Sequence, residues 1–302
     1  MRRAPVALVA SLALSATALV GCGSDSLEGG GGEEGGSASS SVTAGADEEL
    51  AAQVPQEIRD KGTLTIGTDA SYAPNEYLDA DGKTVKGFDV DLFDAVAAKL
   101  DLETQWQPAK FDSIITGVNG DKYDLGVSSF TINDERKKQV NMVSYFSAGT
   151  QWASAPGNPK KADPDSPCGL TVAVQKGTVQ QEEDLPAKEK ACQSDGKPIK
   201  VLVYEGQDQA TAAVGSGKAD AMLADSPIVA YAVKQSGGKI ESLGDIYDAA
   251  PYGYVIPKED TELADAVEGA LTSLKEDGTY EEILTNWGVQ EGALDEAFAV
   301  NP

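Results

Sequence analysis

Short apolar strands alternate with amphipathic helices along most of this chain, and no other feature limits the possible folds as strongly. A strand is predicted at Thr63–Gly67, and a helix is predicted over Phe88–Leu100, where apolar residues recur every three or four positions. The strands predicted at Leu170–Val174 and Lys200–Tyr204 are likewise each followed by a predicted helix. Repeated strand–helix units favour an α/β fold with a largely parallel sheet.

Polar segments follow four of the predicted strands, at Asp69, Ser128, Gly177 and Asp225. In open α/β sheets, ligands bind in the crevice beyond the carboxyl ends of the strands. We therefore expect these four polar segments to face one crevice.

The segment Ser128–Arg136 is the most informative of the four, because it follows a predicted strand, Tyr123–Val127, and leads into a helix-like stretch. It places two hydroxyls, backbone N–H groups and one guanidinium at a strand-to-helix corner. A guanidinium matches a carboxylate with two parallel hydrogen bonds, and N–H groups at a helix start favour anions. The alternative is a capped surface helix whose arginine faces solvent.

The first 21 residues have the pattern of a secretory signal. Arg2 and Arg3 precede the apolar stretch Ala4–Val20, which is short for a membrane-spanning helix. The end of the stretch, Leu19–Cys22, resembles a bacterial lipobox, in which the cysteine is diacylated and becomes the new N-terminus. The alternative is an ordinary signal peptide with an incidental cysteine.

Residues 22–60 are predicted to be the lipidated cysteine followed by a flexible tether. The stretch from Gly23 to Ala46 consists largely of Gly, Ser and acidic residues and offers little apolar surface for a core. We therefore predict an extracytoplasmic lipoprotein that is anchored to the cell membrane by palmitate and other acyl chains on Cys22.

Charge and histidine content narrow the function. The chain has 24 Lys and Arg against 49 Asp and Glu, so nucleic acid is excluded as a partner and anionic lipid is a poor one. It has no histidine, which removes the Ser-His-Asp and Cys-His arrangements and the commonest general base. We expect no catalytic residues, no metal and no cofactor.

Cys168 and Cys192 are the only cysteines besides Cys22. In an oxidising compartment, two remaining cysteines are expected to form one disulfide, which closes a loop of about 25 residues. The alternative is two unrelated buried thiols.

Several motifs, in their order and spacing, resemble the type-3 extracellular solute-binding proteins of bacterial ABC importers, in particular the members that bind polar amino acids. The resemblance covers roughly residues 62 to 290. The segments that carry it are Gly67–Pro74, Gly87–Leu92, Ser128–Arg136, Gln175–Thr178, Glu205–Asp208, Ala219–Asp225 and Asp277–Tyr280.

The resemblance implies a two-lobe periplasmic-binding-protein-like α/β fold, with two crossing hinge strands and a ligand cleft between the lobes. Lobe 1 would comprise residues 62–149 and 250–290, lobe 2 residues 150–249, and the C-terminal tail residues 291–302. Hinges are expected near 147–151 and 249–252. Closure of the two lobes around a ligand is a standard hinge motion.

The resemblance also implies how an amino-acid backbone would be held. Arg136 would bind the α-carboxylate, with help from Thr131 and from N–H groups near Thr178 and Val179 in the other lobe. Opposite charges that are matched out of water contribute to binding when every charge is paired.

The α-ammonium group would pair with Asp225, while Ser129 supplies its carbonyl and Ser128 a supporting group. For Asp225, the alternative role is that of a helix cap before Pro227.

The ligand side chain would lie against Tyr72 and Phe111, although Phe111 is also compatible with an ordinary core position. Asp69 lies where relatives that bind basic or amide side chains use a carboxylate. Two residues depart from the family pattern: Asn75 replaces a common aromatic, and Gln175 stands where some glutamine-binding members have lysine.

The sequence therefore predicts a monomeric, membrane-tethered receptor that binds a polar, basic or amide amino acid and delivers it to an ABC permease. The alternatives are a ligand sensor that acts with a separate membrane protein and a dehydratase-like enzyme of the same fold. In such an enzyme the candidate acids and bases would be Asp69, Glu76 and Asp225.

Overall fold

The computed structural model describes residues 44–302. The predicted signal peptide, Cys22 and the first part of the predicted tether lie outside these residues. Among the described residues, no helix is both long and apolar enough to cross a membrane.

Eleven strands lie within the described residues, and they form a sheet of eight strands and a sheet of three. In chain order they are β1 (Thr63–Thr68), β2 (Ser71–Tyr72), β3 (Glu76–Leu78), β4 (Val85–Lys86), β5 (Glu103–Pro108), β6 (Leu125–Thr131), β7 (Val140–Ser154), β8 (Thr171–Gln175), β9 (Lys200–Tyr204), β10 (Ala221–Asp225) and β11 (Glu241–Pro257). The large sheet has the order β5-β1-β6-β11-β7-β10-β8-β9, and β2, β3 and β4 form the small one.

Parallel pairs lie on both sides of the large sheet, and two long antiparallel strands join them. On one side β1 pairs in parallel with β5 and β6, and on the other β8 pairs in parallel with β9 and β10. Between them β7 and β11 run antiparallel to each other, with shifts of register near Leu243, Tyr247 and Tyr252. The mixed α/β fold with a large sheet agrees with the predicted fold class.

Ten α-helices accompany the strands in residues 44–302. They are α1 (Glu48–Ala51), α2 (Gln56–Lys61), α3 (Phe88–Lys99), α4 (Phe111–Val118), α5 (Asp134–Gln139), α6 (Leu185–Ser194), α7 (Gln207–Gly215), α8 (Ser226–Gln235), α9 (Thr261–Glu276) and α10 (Thr279–Trp287). A π-helical turn, Gln180–Asp184, leads into α6, and a 3-10 turn, Gln290–Gly292, follows α10.

The buried side chains form separate apolar cores. One core contains Leu92, Tyr254 and Leu271, and it is built from β1, α3, β6, α9 and α10. Two others, around Met222 and around Trp152, are built mainly from the chain between β7 and β11. We name the part around the first core lobe 1 and the part around the other two lobe 2. The exact residue boundaries of the lobes remain a prediction.

The folded region begins earlier than predicted. Residues up to 60 were expected to be flexible tether, but α1 and α2 fold onto lobe 1. Leu50 packs against the first core, and Val54 and Ile58 are buried in it. Leu50 lies in α1, Ile58 in α2 and Val54 between the two helices, so burial of these three apolar side chains against lobe 1 explains why this end of the predicted tether is ordered.

The C-terminal residues also pack onto lobe 1. Phe298 is buried against Tyr280, and Val300 forms a bridge to Val143 of β7. The predicted tail is therefore part of the folded lobe rather than a separate appendage.

Cys168 and Cys192 form a disulfide, with the two sulfurs 2.05 Å apart. This confirms the predicted pairing over the alternative of two separate thiols. The bond joins the loop before β8 to helix α6, within lobe 2.

Candidate functional site

A small cavity lies between the two lobes. It lies where β1, β6, β8 and β10 end, as the rule for open α/β sheets predicts. Its lining residues are Asp69, Tyr72, Glu76, Phe111, Ser128, Ser129, Thr131, Arg136, Gln175, Thr178, Val179, Gln180 and Asp225. All ten residues predicted to bind ligand are among them, while their part in binding remains a prediction.

The serines of the site lie within a strand and not at a strand-to-helix corner. Strand β6 continues to Thr131, and helix α5 begins only at Asp134. The prediction that these serines lie at a strand-to-helix corner is therefore wrong. Ser129 has a φ of 52°, a left-handed conformation that is uncommon for a residue with a side chain.

Arg136 is only 7 % exposed, which contradicts the alternative of a solvent-facing arginine. Its Nη1 donates to the carbonyl of Thr131 (2.7 Å) and its Nη2 to the carbonyl of Gly177 (3.0 Å). Each terminal nitrogen has a second N–H, so the guanidinium retains donors for a carboxylate. Burial lowers the pKa of Arg136, because the charged form loses water.

The carboxylate of Asp225 receives three hydrogen bonds, all from neutral groups. Tyr72 and Tyr252 donate to Oδ2 at 2.8 and 2.7 Å, and Gln180 Nε2 donates to Oδ1 at 2.7 Å. Burial raises the pKa of Asp225, and these hydrogen bonds together with the charge of Arg136 oppose the rise. The side chain makes no capping hydrogen bond to helix α8, so it does not act as the helix cap that was the alternative.

Asp69 is held from both lobes. In lobe 1, Ser71 Oγ donates to Oδ1 (2.5 Å) and the N–H of Phe111 donates to Oδ2 (2.9 Å). From lobe 2, Gln175 Nε2 donates to Oδ2 at 3.2 Å, while Gln175 Oε1 is buried without a hydrogen-bond partner among the described residues. Burial raises the pKa of Asp69 despite the hydrogen bonds from Ser71 and Phe111.

Aromatic rings cover one wall of the cavity. The rings of Phe111 and Phe130 stack with centroids 4.5 Å apart, and the guanidinium of Arg136 lies over both at 5.5 and 5.4 Å. Phe111 belongs to a buried apolar cluster of lobe 1 and also lines the cavity, so it is a core residue, and its contact with a ligand stays a prediction.

The two serines are bound from behind by buried carboxyl groups. Ser128 Oγ donates to Glu76 Oε1 at 3.1 Å and accepts from the N–H of Asp69 at 2.9 Å. Ser129 Oγ lies 3.1 Å from Glu76 Oε2 and 3.2 Å from Asp89 Oδ2, and it accepts from Asn75 Nδ2 at 2.8 Å. The lining of the cavity therefore depends on a second layer of polar side chains.

Sequence reasoning did not place Glu76, Gln175 or Gln180 among the ligand-binding residues. Gln175 ends β8 just as Asp225 ends β10, so its position at the carboxyl end of a strand was an available signal. Glu76 and Gln180 reach the cavity from β3 and from the π-helical turn, and no local pattern marks their orientation.

Direct contacts join the lobes around the cavity. Ser71 Oγ accepts from the N–H of Gln207 at 3.0 Å, and Asn133 Nδ2 donates to Glu183 Oε1 at 2.7 Å. The two lobes are therefore closed on each other in this structure.

Two ion pairs cross the mouth of the cavity in opposite senses. Lys110 of lobe 1 lies 2.8 Å from Glu205 of lobe 2, and Lys176 of lobe 2 lies 2.8 Å from Asp112 of lobe 1. Lys176 is also 3.5 Å from Glu205, so the four charges form one cluster.

No group of three or more potential metal-ligating side chains lies together anywhere in residues 44–302. The polar groups of the cavity are two acidic side chains, one arginine, hydroxyls and amides, together with the buried Glu76. That set is suited to a small zwitterionic molecule with a polar side chain.

Three comparisons place these features among known proteins. A sequence model of the bacterial extracellular solute-binding proteins, family 3, matches residues 64–290. The arginine-binding protein ArgT of Corynebacterium glutamicum is 40 % identical over 250 residues, which are 82 % of this chain and 82 % of that protein.

Two solved structures have similar folds. An ancestral arginine-binding protein bound to arginine is 32 % identical, with a TM-score of 0.69 over 75 % of this chain and 98 % of that one. The ancestral amino acid-binding protein AncCDT-1, described as a precursor of cyclohexadienyl dehydratase, is 34 % identical, with a TM-score of 0.68 over 76 % of this chain and 97 % of that one.

Proposed function

The chain belongs to the bacterial extracellular solute-binding proteins, family 3, and from the charges in its cavity we propose that it is a receptor for a cationic amino acid of the arginine type. Family membership confirms the resemblance seen in the sequence. An amino acid is the ligand class named for the relatives described above.

The balance of charge in the cavity is the observation that carries the choice of a cationic ligand. Asp69 and Asp225 contribute two carboxylates against the one guanidinium of Arg136, which leaves one negative charge in excess. Glu76 is counted as neutral, because burial raises the pKa of its carboxyl well above the ordinary value. A basic amino acid carries one positive charge in excess and so neutralises the charged side chains that line the closed cavity. Buried charges are tolerated when each is paired.

We propose that Arg136 binds the α-carboxylate with its free N–H groups, assisted by Thr131 and by Thr178 and Val179 across the cleft. The α-ammonium group of the ligand pairs with Asp225. The three groups that donate hydrogen bonds to this carboxylate are all neutral, so its positively charged partner would be the ligand. Ser128 and Ser129 complete this end of the ligand.

The side chain of the ligand extends past Tyr72 and Phe111 to Asp69. Two acceptors meet a guanidinium there: the carboxylate of Asp69 and the buried Oε1 of Gln175, which lacks a partner among the described residues. The closure contacts described above exclude water from this end, which strengthens the pairing of charges.

We further propose that Cys22 is lipidated and that the receptor is a membrane-tethered monomer that delivers its ligand to an ABC permease. On this proposal the protein is a receptor and not an enzyme.

Calorimetric titration of the full-length chain in detergent with the twenty amino acids tests the proposal. Saturable binding of L-arginine or another basic amino acid, recovered unchanged after incubation, is the expected result. Binding only of acidic or apolar amino acids contradicts the charge argument, and conversion of the ligand to a product contradicts the receptor.

A further inference from the structure

Two carboxyl side chains lie buried together behind the serines of the cavity. Glu76 is 1 % exposed and Asp89 is fully buried. Asp89 Oδ2 accepts from the N–H of Ser129 (3.2 Å) and from the hydroxyl of Tyr145 (2.6 Å). Asp89 Oδ1 is buried and receives no N–H or O–H from the described residues, although the Asp89 side chain is hydrogen-bonded to Glu76.

Two ionised carboxylates cannot form a hydrogen bond with each other, because neither has a proton to donate. We propose that Glu76 and Asp89 share one proton, which resides on Glu76, and that the resulting pair positions Ser128 and Ser129 on the cavity wall. The two carboxyls also meet at one hydroxyl, because Ser129 Oγ lies within 3.2 Å of Glu76 Oε2 and Asp89 Oδ2 and can donate its single proton to only one of them.

The surroundings supply no cation that would allow both groups to ionise. Within residues 44–302, neither carboxyl forms an ion pair with lysine or arginine. The titratable groups that face the pair are acidic: Asp69 and Tyr72 beside Glu76, Tyr145 near both carboxyls, and Tyr254 near Asp89. Burial of a second negative charge without a positive partner would raise the free energy of the folded state.

The geometry assigns the proton to Glu76 and the charge to Asp89. Asp89 lies in the first turn of the 12-residue helix α3, where the helix dipole favours a negative charge. It also accepts from a backbone N–H and a phenol, whereas Glu76 accepts only from serine hydroxyls.

The pair holds the lining of the cavity through hydrogen bonds of 3.1–3.2 Å. Ser129 keeps its left-handed backbone while Asp89 accepts from its N–H and both carboxyls contact its hydroxyl. The peptide that bears Ser128 and Ser129 is thereby fixed toward the ligand. This positioning role rests on the proposed function, whereas the shared proton does not.

The pKa shifts of Glu76 and Asp89 determine how their contribution to stability changes with pH. Burial, followed by the neighbouring Asp89, raises the pKa of Glu76 well above its ordinary value, and burial raises the pKa of Asp89 to about 6. The folded pair therefore binds more protons than the unfolded chain, and its contribution to stability falls as the pH rises from the ordinary carboxyl range through the raised pKa values.

Infrared spectroscopy of the full-length chain in detergent, labelled with carbon-13 at glutamate side chains, tests the proton directly. Glu76 is the one buried glutamate among the described residues. At pH 7 we expect the carbonyl band of a protonated carboxylic acid that shifts with the label and is absent in Glu76→Gln. The exposed control Glu103→Gln should retain the band. A wild-type protein that has no such band at pH 7 overturns the proposal, whether or not it binds arginine.

Binding of L-arginine tests the positioning role. Glutamine can donate to Asp89 and accept from the serines, so Glu76→Gln should bind arginine within about threefold of the wild type and lose the pair's pH dependence. Glu76→Ala leaves the serines and Asp89 without partners and should bind at least about tenfold more weakly.

Loss of more than about tenfold in a folded Glu76→Gln protein would mean that Glu76 acts as a charge. Wild-type affinity in Glu76→Ala would remove the positioning role. If Glu76→Gln does not fold, the wild-type band and the Glu76→Ala affinity still decide the two parts of the proposal.

Discussion

Replacing Asp69 by asparagine isolates the charge that we assign to the ligand side chain. The substitution keeps the size of the side chain and removes one negative charge from a group that is 5 % exposed. On the proposed binding mode, the guanidinium of arginine then faces an amide instead of a carboxylate. A neutral ligand such as glutamine makes no use of that charge.

The magnitude follows from the burial of the pair. Removing one partner of a buried, hydrogen-bonded charge pair costs about 3–5 kcal/mol. Burial raises the pKa of Asp69, so part of its population is protonated toward acidic pH and the lower end of the range applies there. At neutral pH we expect arginine to bind about 10² to 4 × 10³ times more weakly, since about 1.4 kcal/mol corresponds to a factor of ten.

Calorimetric titration with L-arginine and L-glutamine, on the wild type and the variant, measures this difference. An asparagine side chain has a single oxygen, so in Asp69→Asn the N–H of Phe111 or the hydroxyl of Ser71 loses its acceptor and the ligand-free protein should melt at a lower temperature. Asp208→Asn is the matched control, because Asp208 is exposed and acts on Asp69 only through its charge. An equal loss of arginine and glutamine affinity in Asp69→Asn would refute the placement of the side chain.

The pH dependence of the wild type provides a second check on Asp69. Only the ionised carboxylate pairs with a guanidinium, and burial has raised the pKa of this group. Arginine affinity should therefore fall as the pH decreases through the raised pKa, and this fall should be absent in Asp69→Asn. A fall that is unchanged in the variant would assign the titration to another group.

Three further changes test other parts of the structure. Arg136→Ala should abolish measurable binding of any α-amino acid while the chain stays folded, whereas the exposed Arg59→Ala should bind as the wild type does; retained affinity in Arg136→Ala would remove the proposed carboxylate site. Reducing the Cys168–Cys192 disulfide should destabilise lobe 2 by about 3 kcal/mol in thermal or denaturant unfolding without changing the order of ligand preference; a changed preference would link the bond to the site. Glu205→Gln removes the negative charge that pairs with Lys110 across the cleft, so arginine should dissociate faster in stopped-flow experiments at low salt, and the difference should shrink in concentrated NaCl, unlike in the control Asp79→Asn, which removes the charge from a pair within lobe 1; an effect of equal size at high salt would contradict an electrostatic origin.

The sequence predicted the elements whose pattern is local. Helix α3 has a regular apolar face and lies where the spacing of apolar residues placed it. The polar residues at the ends of β1 and β10 were located in the same way, because the position of Asp69 or Asp225 after an apolar run is visible without the fold.

Features that depend on distant pairing were not predictable. The first half of β11 pairs with β7 through shifts of register, and its own residues show no alternation, so no local pattern marks this half as a strand. The contact between Glu76 and Asp89 joins β3 to α3 behind β6. No local sequence pattern around either residue indicates this contact. The order of the C-terminal residues likewise depends on the packing of Phe298 against Tyr280.

The placement of α1 has a mechanical consequence. The N–H of Asp47 donates to the carbonyl of Lys99, and Leu50 packs against Gly269 of α9, so the incoming chain is fastened to lobe 1 alone. A pull on the N-terminal side of the chain would first be borne by α1 and its contacts with α3 and α9, all of which belong to lobe 1. Under the proposed membrane anchor, tension would therefore act on lobe 1 and would not be applied directly to lobe 2.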